Sequence, residues 1–89
     1  MDIILYDIGV NGSITPDTPL PPLPDIPRGS LVVVGGRAPA WRTARAVHDL
    51  HGSPAGAIAT FDPRLGGVVV VNHNPDLPDV GQVVDVDWD

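Results

Sequence analysis

Two apolar runs, Leu31-Val32-Val33-Val34 and Ala57-Ile58-Ala59-Thr60-Phe61, flank a segment of helical character, and this spacing restricts the topology most. Four consecutive aliphatic residues read as a strand covered on both faces. Gly35-Gly36 ends that strand, and Pro39 sits where a first helical residue is favoured. Ala40 to His51 then read as a helix. At ~100° per residue, Ala40, Ala44, Val47 and Leu50 fall on one arc, with Arg42, Arg45 and Asp49 opposite. Arg45 and Asp49 have the spacing of an i,i+4 ion pair, and Gly52 supplies a C-terminal stop. Strand, helix and strand form a crossover, so the strands over 31–34 and 57–61 are expected to be parallel.

The remaining segments attach to this unit. Residues 2–8 read as a strand closed by Gly9, and Val10 to Ile14 as a weaker second one. Six prolines between Pro16 and Pro27 exclude helix and central strand, which leaves a proline-rich surface connector over 16–27. The run over 67–72 returns antiparallel as a hairpin partner of 57–61. From Val83 to Trp88 the residues alternate, with Val84, Val86 and Trp88 on one face and Asp85 and Asp87 on the other. The expected fold is α/β: a small mixed β-sheet with one main helix in a strand–helix–strand crossover, followed by a β-hairpin.

The 89 residues fit one domain, small enough that self-association would supplement its core. Without cysteine, disulfides and thiolate–metal sites are excluded, and a cytoplasmic location fits. No apolar run approaches the ~20 residues of a membrane helix. All acids are Asp and all bases Arg, with a net charge of −6. Residues 28–64 carry +3, between segments of −4 and −5. This distribution argues against DNA or long RNA, which need a broad basic face. It permits a small anionic ligand in one local basic site.

The crossover puts Gly36-Arg37 and Asp62-Pro63-Arg64 at the C-terminal ends of parallel strands, hence on one edge of the sheet, where open α/β folds bind ligands. The helix start at Pro39-Ala40 points to the same edge and favours anions. His51 ends the helix and His73 follows the returning strand, so both belong to the opposite edge. A twelve-residue helix is ~18 Å long, so His51 and Asp62 should meet only if two subunits stack edge to opposite edge.

Each group has a plain structural alternative. Gly36 to Pro39 can be a phosphate loop or an ordinary strand–helix turn, and Trp41 can stack on a base or pack internally. His51 suits general acid–base chemistry near neutrality, or merely the helix dipole. His48 and His51 can share a metal, although His48 sits at the rim of the apolar arc, where packing explains it. Asp62 and Arg64 can hold a metal and a phosphate, or pair with each other within the turn.

Gly36-Arg37-Ala38-Pro39-Ala40-Trp41, the helix ending in His51, and Phe61-Asp62-Pro63-Arg64-Leu65-Gly66-Gly67-Val68-Val69-Val70 resemble a small type III CRISPR-associated family, Csx-three. The resemblance implies a ring nuclease that degrades cyclic tetra-adenylate, with Mn2+-dependent activity and homodimers that stack into tetramers or filaments around the ligand. It implies His51 and Asp62 as catalytic, with Asp62 as metal ligand, and Arg64 as phosphate-contacting. Gly36, Arg37, Ala38, Pro39, Trp41 and His73 would bind the ligand. The competing expectations are a non-catalytic cyclic oligoadenylate sensor or sink and a manganese-dependent RNA 3′-end exonuclease.

Overall fold

The computed structural model describes residues 1–88, so Asp89, the last of the acidic C-terminal series, lies outside the described residues. Five strands and one helix follow in the order β1 (Ile3–Asp7), β2 (Leu31–Gly35), α1 (Ala40–Leu50), β3 (Ala57–Asp62), β4 (Gly66–Asn72) and β5 (Val83–Val84). They form one mixed sheet in sequential order β1-β2-β3-β4-β5. β1, β2 and β3 run parallel, with Ile3 opposite Leu31 and Leu31 opposite Ala57. β4 returns antiparallel to β3 and β5 antiparallel to β4. The expected crossover and hairpin are both present, and every residue of β2 is buried, as a strand covered on both faces requires.

Each face of the sheet has its own apolar cluster. On one face Tyr6, Ile8, Val32, Val34 and Ile58 pack with Ala46 and Leu50 of α1 and with Ile26. On the other, Leu31, Val33, Ala57, Ala59 and Val69 lie under Leu77, Val86 and Trp88. Val69 and Val71, although two apart in β4, serve opposite clusters. A register shift between Ile58 and Ala59, which pair with Val71 and Val69, makes this possible. The extra residue in the bulge reverses the alternation that a regular strand would impose.

Several expectations about local structure are corrected. The buried side of α1 is Arg42, Ala46 and Leu50, while Ala40, Ala44 and His48 are exposed. Arg42 is only 3% exposed. Its Nε donates to Ile8 O at 2.9 Å, and its terminal nitrogens donate to Thr18 O and Pro19 O at 3.4 Å. A cation can be buried here because main-chain carbonyls replace its water. Arg45 does not pair with Asp49; it donates to Pro16 O at 2.8 Å. Pro39 is the cap residue rather than the first helical one, with φ −67° and ψ 155°. At the far end Gly52 is not left-handed, and Ser53 Oγ donates to Leu50 O at 2.6 Å.

No strand forms over Val10 to Ile14, and the last strand stops at Val84, although the in–out alternation continues to Trp88. The connector over 16–27 is without helix or strand, as its prolines dictate. It is nevertheless tied down: Tyr6 Oη donates to Pro21 O at 2.5 Å, and Arg42 and Arg45 supply the other bonds. Prolines cannot donate from the main chain, but their carbonyls accept, and three side chains of the core unit use them. Among the described residues no helix is long and apolar enough to cross a membrane.

Candidate functional site at the C-terminal sheet edge

The three parallel strands end on the same edge, and an open cleft of about 610 Å³ lies there. Asp7 follows from β1, Gly36 and Arg37 from β2, and Phe61 and Pro63 from the end of β3, with Trp88 closing one side. A second cleft of about 530 Å³ adjoins it, lined by Gly12, Arg37, Ala38 and Pro39. Both clefts share Val10, Asn11 and Arg37, so Arg37 stands between them. The loop after β1 is fixed against this edge by Val10 N–H donating to Arg37 O at 2.9 Å. Gly36 has φ +106°, and a side chain there would strike the Asp7 carboxylate and the Gly9 backbone.

The helix start contributes unfilled donors. Arg42 N–H and Thr43 N–H both turn back to Pro39 O, and Pro39 offers no capping side chain. The N–H groups of Ala40 and Trp41 therefore lack an acceptor within the helix, the usual state of a first turn, and their partial positive charge favours an anion. Trp41 itself is half-buried and lines neither cleft.

Asp62 and Arg64 lie on the β3–β4 turn on the same edge, on either side of Pro63 in the chain, but line neither cleft. Asp62 Oδ1 accepts from Arg64 N–H at 2.8 Å and from Leu65 N–H at 3.3 Å, an Asx turn that fixes the carboxylate. The Arg64 N–H chiefly holds the Asp62 carboxyl below its ordinary pKa, partly opposed by desolvation and assisted by the guanidinium. Arg64 Nε stands 3.7 Å from Oδ1, and its side chain is 86% exposed. So loose a pair contributes little stability and leaves the cation accessible to a phosphate.

His51 and His73 occupy the opposite edge, as the topology requires, and they meet. His73 Nε2 is 3.4 Å from His51 Nδ1, and the rings stand edge-on with centroids 5.2 Å apart. The chain therefore brings its candidate site residues together in two groups, one at each edge: Gly36, Arg37, Ala38, Pro39, Asp62 and Arg64, and separately His51 with His73. Among the described residues no three or more His, Asp or Glu side chains gather as a metal cage. Asp62 offers one oxygen, Oδ2, beyond its bonded Oδ1, so a single chain does not fit a resident Mn2+.

Over residues 7–85 the chain matches the family model described as CRISPR-associated protein (Cas_csx3). The chain belongs to that family. It is also 40% identical over 55 residues to an uncharacterized protein of Aquifex aeolicus (strain VF5), a match covering 62% of this chain. The aligned part is 48% of that relative, so the chain spans about half its length. As a Cas_csx3 member the protein is CRISPR-associated, and the matched span includes every site residue expected from the sequence on both edges, while Trp88 lies beyond it.

The sequence reading missed Asp7, Gly9, Val10, Asn11 and Trp88, and signals for two of them were present. The run over 3–6 makes β1 a third parallel strand, which carries Asp7 to the same edge as Arg37. β5 runs antiparallel to β4, and so in the direction of β3, which sends Trp88 there as well.

Proposed function

We propose that the protein is a ring nuclease that cleaves a phosphodiester of cyclic tetra-adenylate and so ends type III CRISPR signalling. The observation that carries this reading is the division of acid–base and phosphate-binding groups between opposite edges of one sheet. Arg37 in the clefts, the first-turn N–H groups of α1 next to Pro39 and the exposed Arg64 on the β3–β4 turn make an anion-binding rim along this edge. Asp62, fixed by two backbone N–H groups, orients the attacking oxygen at that rim. The proton donor and acceptor, His51, belongs to the far edge, where His73 holds its Nδ1 and leaves Nε2 for substrate.

Such an arrangement is inert within one subunit and complete when the histidine edge of one copy docks on the cleft edge of the next. That contact is head-to-tail, so it can build tetramers or filaments. Two cationic side chains at a confined rim suit a compact tetra-anion better than long RNA on a protein of net charge −6. The manganese implied by the family resemblance would need ligands from the nucleotide or a neighbouring subunit, and no step above runs through it.

The test is incubation with cyclic tetra-adenylate over a range of protein concentrations, with and without Mn2+. The expected result is linear product at a specific activity that rises with protein concentration. An intact ring under every condition defeats the enzyme reading. Saturable binding without turnover would favour the sensor or sink, and cleavage of linear adenine-rich RNA alone would favour the exonuclease.

A further inference from the structure

We infer that the cleft on the C-terminal edge is a ribonucleotide subsite in which Asp7 takes a ribose 2′-hydroxyl, Arg37 the adjoining phosphate, and Trp88 with Phe61 the base. This rests on the proposed adenylate chemistry of that edge and goes beyond it by assigning three residues, Asp7, Phe61 and Trp88, and a sugar preference.

The cleft of about 610 Å³ is of nucleotide size. Its charged groups have opposite hydrogen-bonding character. Ionised Asp7 only accepts and Arg37 only donates. A phosphate is therefore drawn to Arg37 and repelled by Asp7, which selects a neutral donor. Asp7 Oδ1 is occupied by Gly9 N–H at 2.8 Å, and Oδ2 carries no hydrogen bond within the described chain. The carboxylate lies directly against Gly36, the residue before Arg37, so a group on Oδ2 sits beside a group held at Arg37. In a nucleotide the hydroxyls are the donors nearest the phosphate, whereas the adenine amine lies across the base. The 2′-hydroxyl is also the group by which a protein tells RNA from DNA.

The aromatic wall is built in place. Phe61 and Trp88 stack with centroids 5.5 Å apart at 26°. The Trp88 ring rests on Gly35, where an added Cβ would lie 2.8 Å from its Cη2. Stacking on such rings accepts any base, so the wall supplies affinity and Asp7 supplies the choice of sugar.

The experiment follows the two indole N–H signals of the full chain by NMR, assigned with Trp41→Phe, during titration with adenosine 5′-monophosphate and its 2′-deoxy analogue. The expected result is a saturable shift of the Trp88 signal and about tenfold tighter binding of the ribonucleotide, the effect of one charge-assisted hydrogen bond. Asp7→Asn keeps an acceptor for Gly9 but puts an NH2 donor where Oδ2 was, and should abolish the preference while leaving the spectrum dispersed. Gly35→Ala should unseat Trp88 and weaken both nucleotides alike.

An unmoved Trp88 signal at millimolar nucleotide, or a ribo-to-deoxy ratio that Asp7→Asn does not change, overturns the inference. The two readings separate cleanly. A protein that leaves the cyclic ring intact but shows this preference retains the subsite and loses the nuclease. One that cleaves the ring with a silent Trp88, and at wild-type KM when Asp7 is Asn, retains the nuclease and loses the subsite.

Discussion

His73 and His51 are bound to each other, Nε2 to Nδ1 at 3.4 Å, across the junction between the end of α1 and the loop after β4. When both rings are neutral, one nitrogen of the pair donates and the other accepts. The contact thus couples the tautomer of His51 to His73 and fixes its ring edge-on. His73 is a positioning residue on this account, and His51 the group that reaches substrate.

Removing the two histidines should therefore have unequal effects. His51→Ala is expected to lower the single-turnover rate on cyclic tetra-adenylate by about 10²–10⁴-fold, the usual worth of a general acid or base. His73→Ala should lower it by roughly tenfold, with KM unchanged and an altered pH profile, because His51 remains but is no longer held. Equal losses in both variants would mean that both imidazoles touch substrate.

Asp62 should titrate below the ordinary carboxylate range of about 3.9, because its ionised form accepts the Arg64 and Leu65 N–H groups. With the folded value depressed, its contribution to stability is fully present above the unfolded value and is lost as pH falls through the folded one. The carboxyl 13C shift of Asp62 followed against pH reads this directly. Arg64→Ala should leave most of the depression, since the backbone N–H is its largest cause and survives the substitution. A return to the ordinary value in Arg64→Ala would transfer the cause to the guanidinium.

Arg42→Met should destabilise the protein by about 2–3 kcal/mol in urea unfolding, because the Ile8, Thr18 and Pro19 carbonyls lose their donor in a buried place. The connector over 16–27 should at the same time become the first site of protease cleavage, although Arg45 still holds Pro16 and Tyr6 still holds Pro21. A change below about 0.5 kcal/mol would mean that water can serve these carbonyls.

Arg42 also shows where the sequence misleads. Its charge places it on the solvent side of any helical projection, and the arc through Ala40, Ala44, Val47 and Leu50 looks self-consistent. The true face is rotated because the connector packs beside α1 and needs a donor for carbonyls that prolines leave without local partners. That demand is tertiary, and no periodicity within 40–50 encodes it. The parallel strands and the return of β4 were legible because a β-rich run on each side of one helix admits few connections. The Asp62 turn and the His51 edge followed from that topology alone. Trp88 and Asp7 were in principle legible through strand direction, but the wall they build with Phe61 depends on Gly35 admitting an indole, which is a contact and not a pattern.

The division of the site between two edges leads to a test by mixing. His51→Ala retains an intact Asp62 edge, and Asp62→Ala retains an intact histidine edge, so each alone should be inactive at every junction it forms with itself. In an equimolar mixture, a head-to-tail junction is competent only when the Asp62→Ala chain presents its histidine edge to the His51→Ala chain. Random assembly makes such junctions at about a quarter of positions, so activity near a quarter of wild type is expected, rising with protein concentration and absent on dilution. Size-exclusion chromatography of each variant with ligand checks that assembly itself survives. Variants that assemble normally yet show no recovery on mixing would place both groups in service of a single subunit, and the two-edge site would fall.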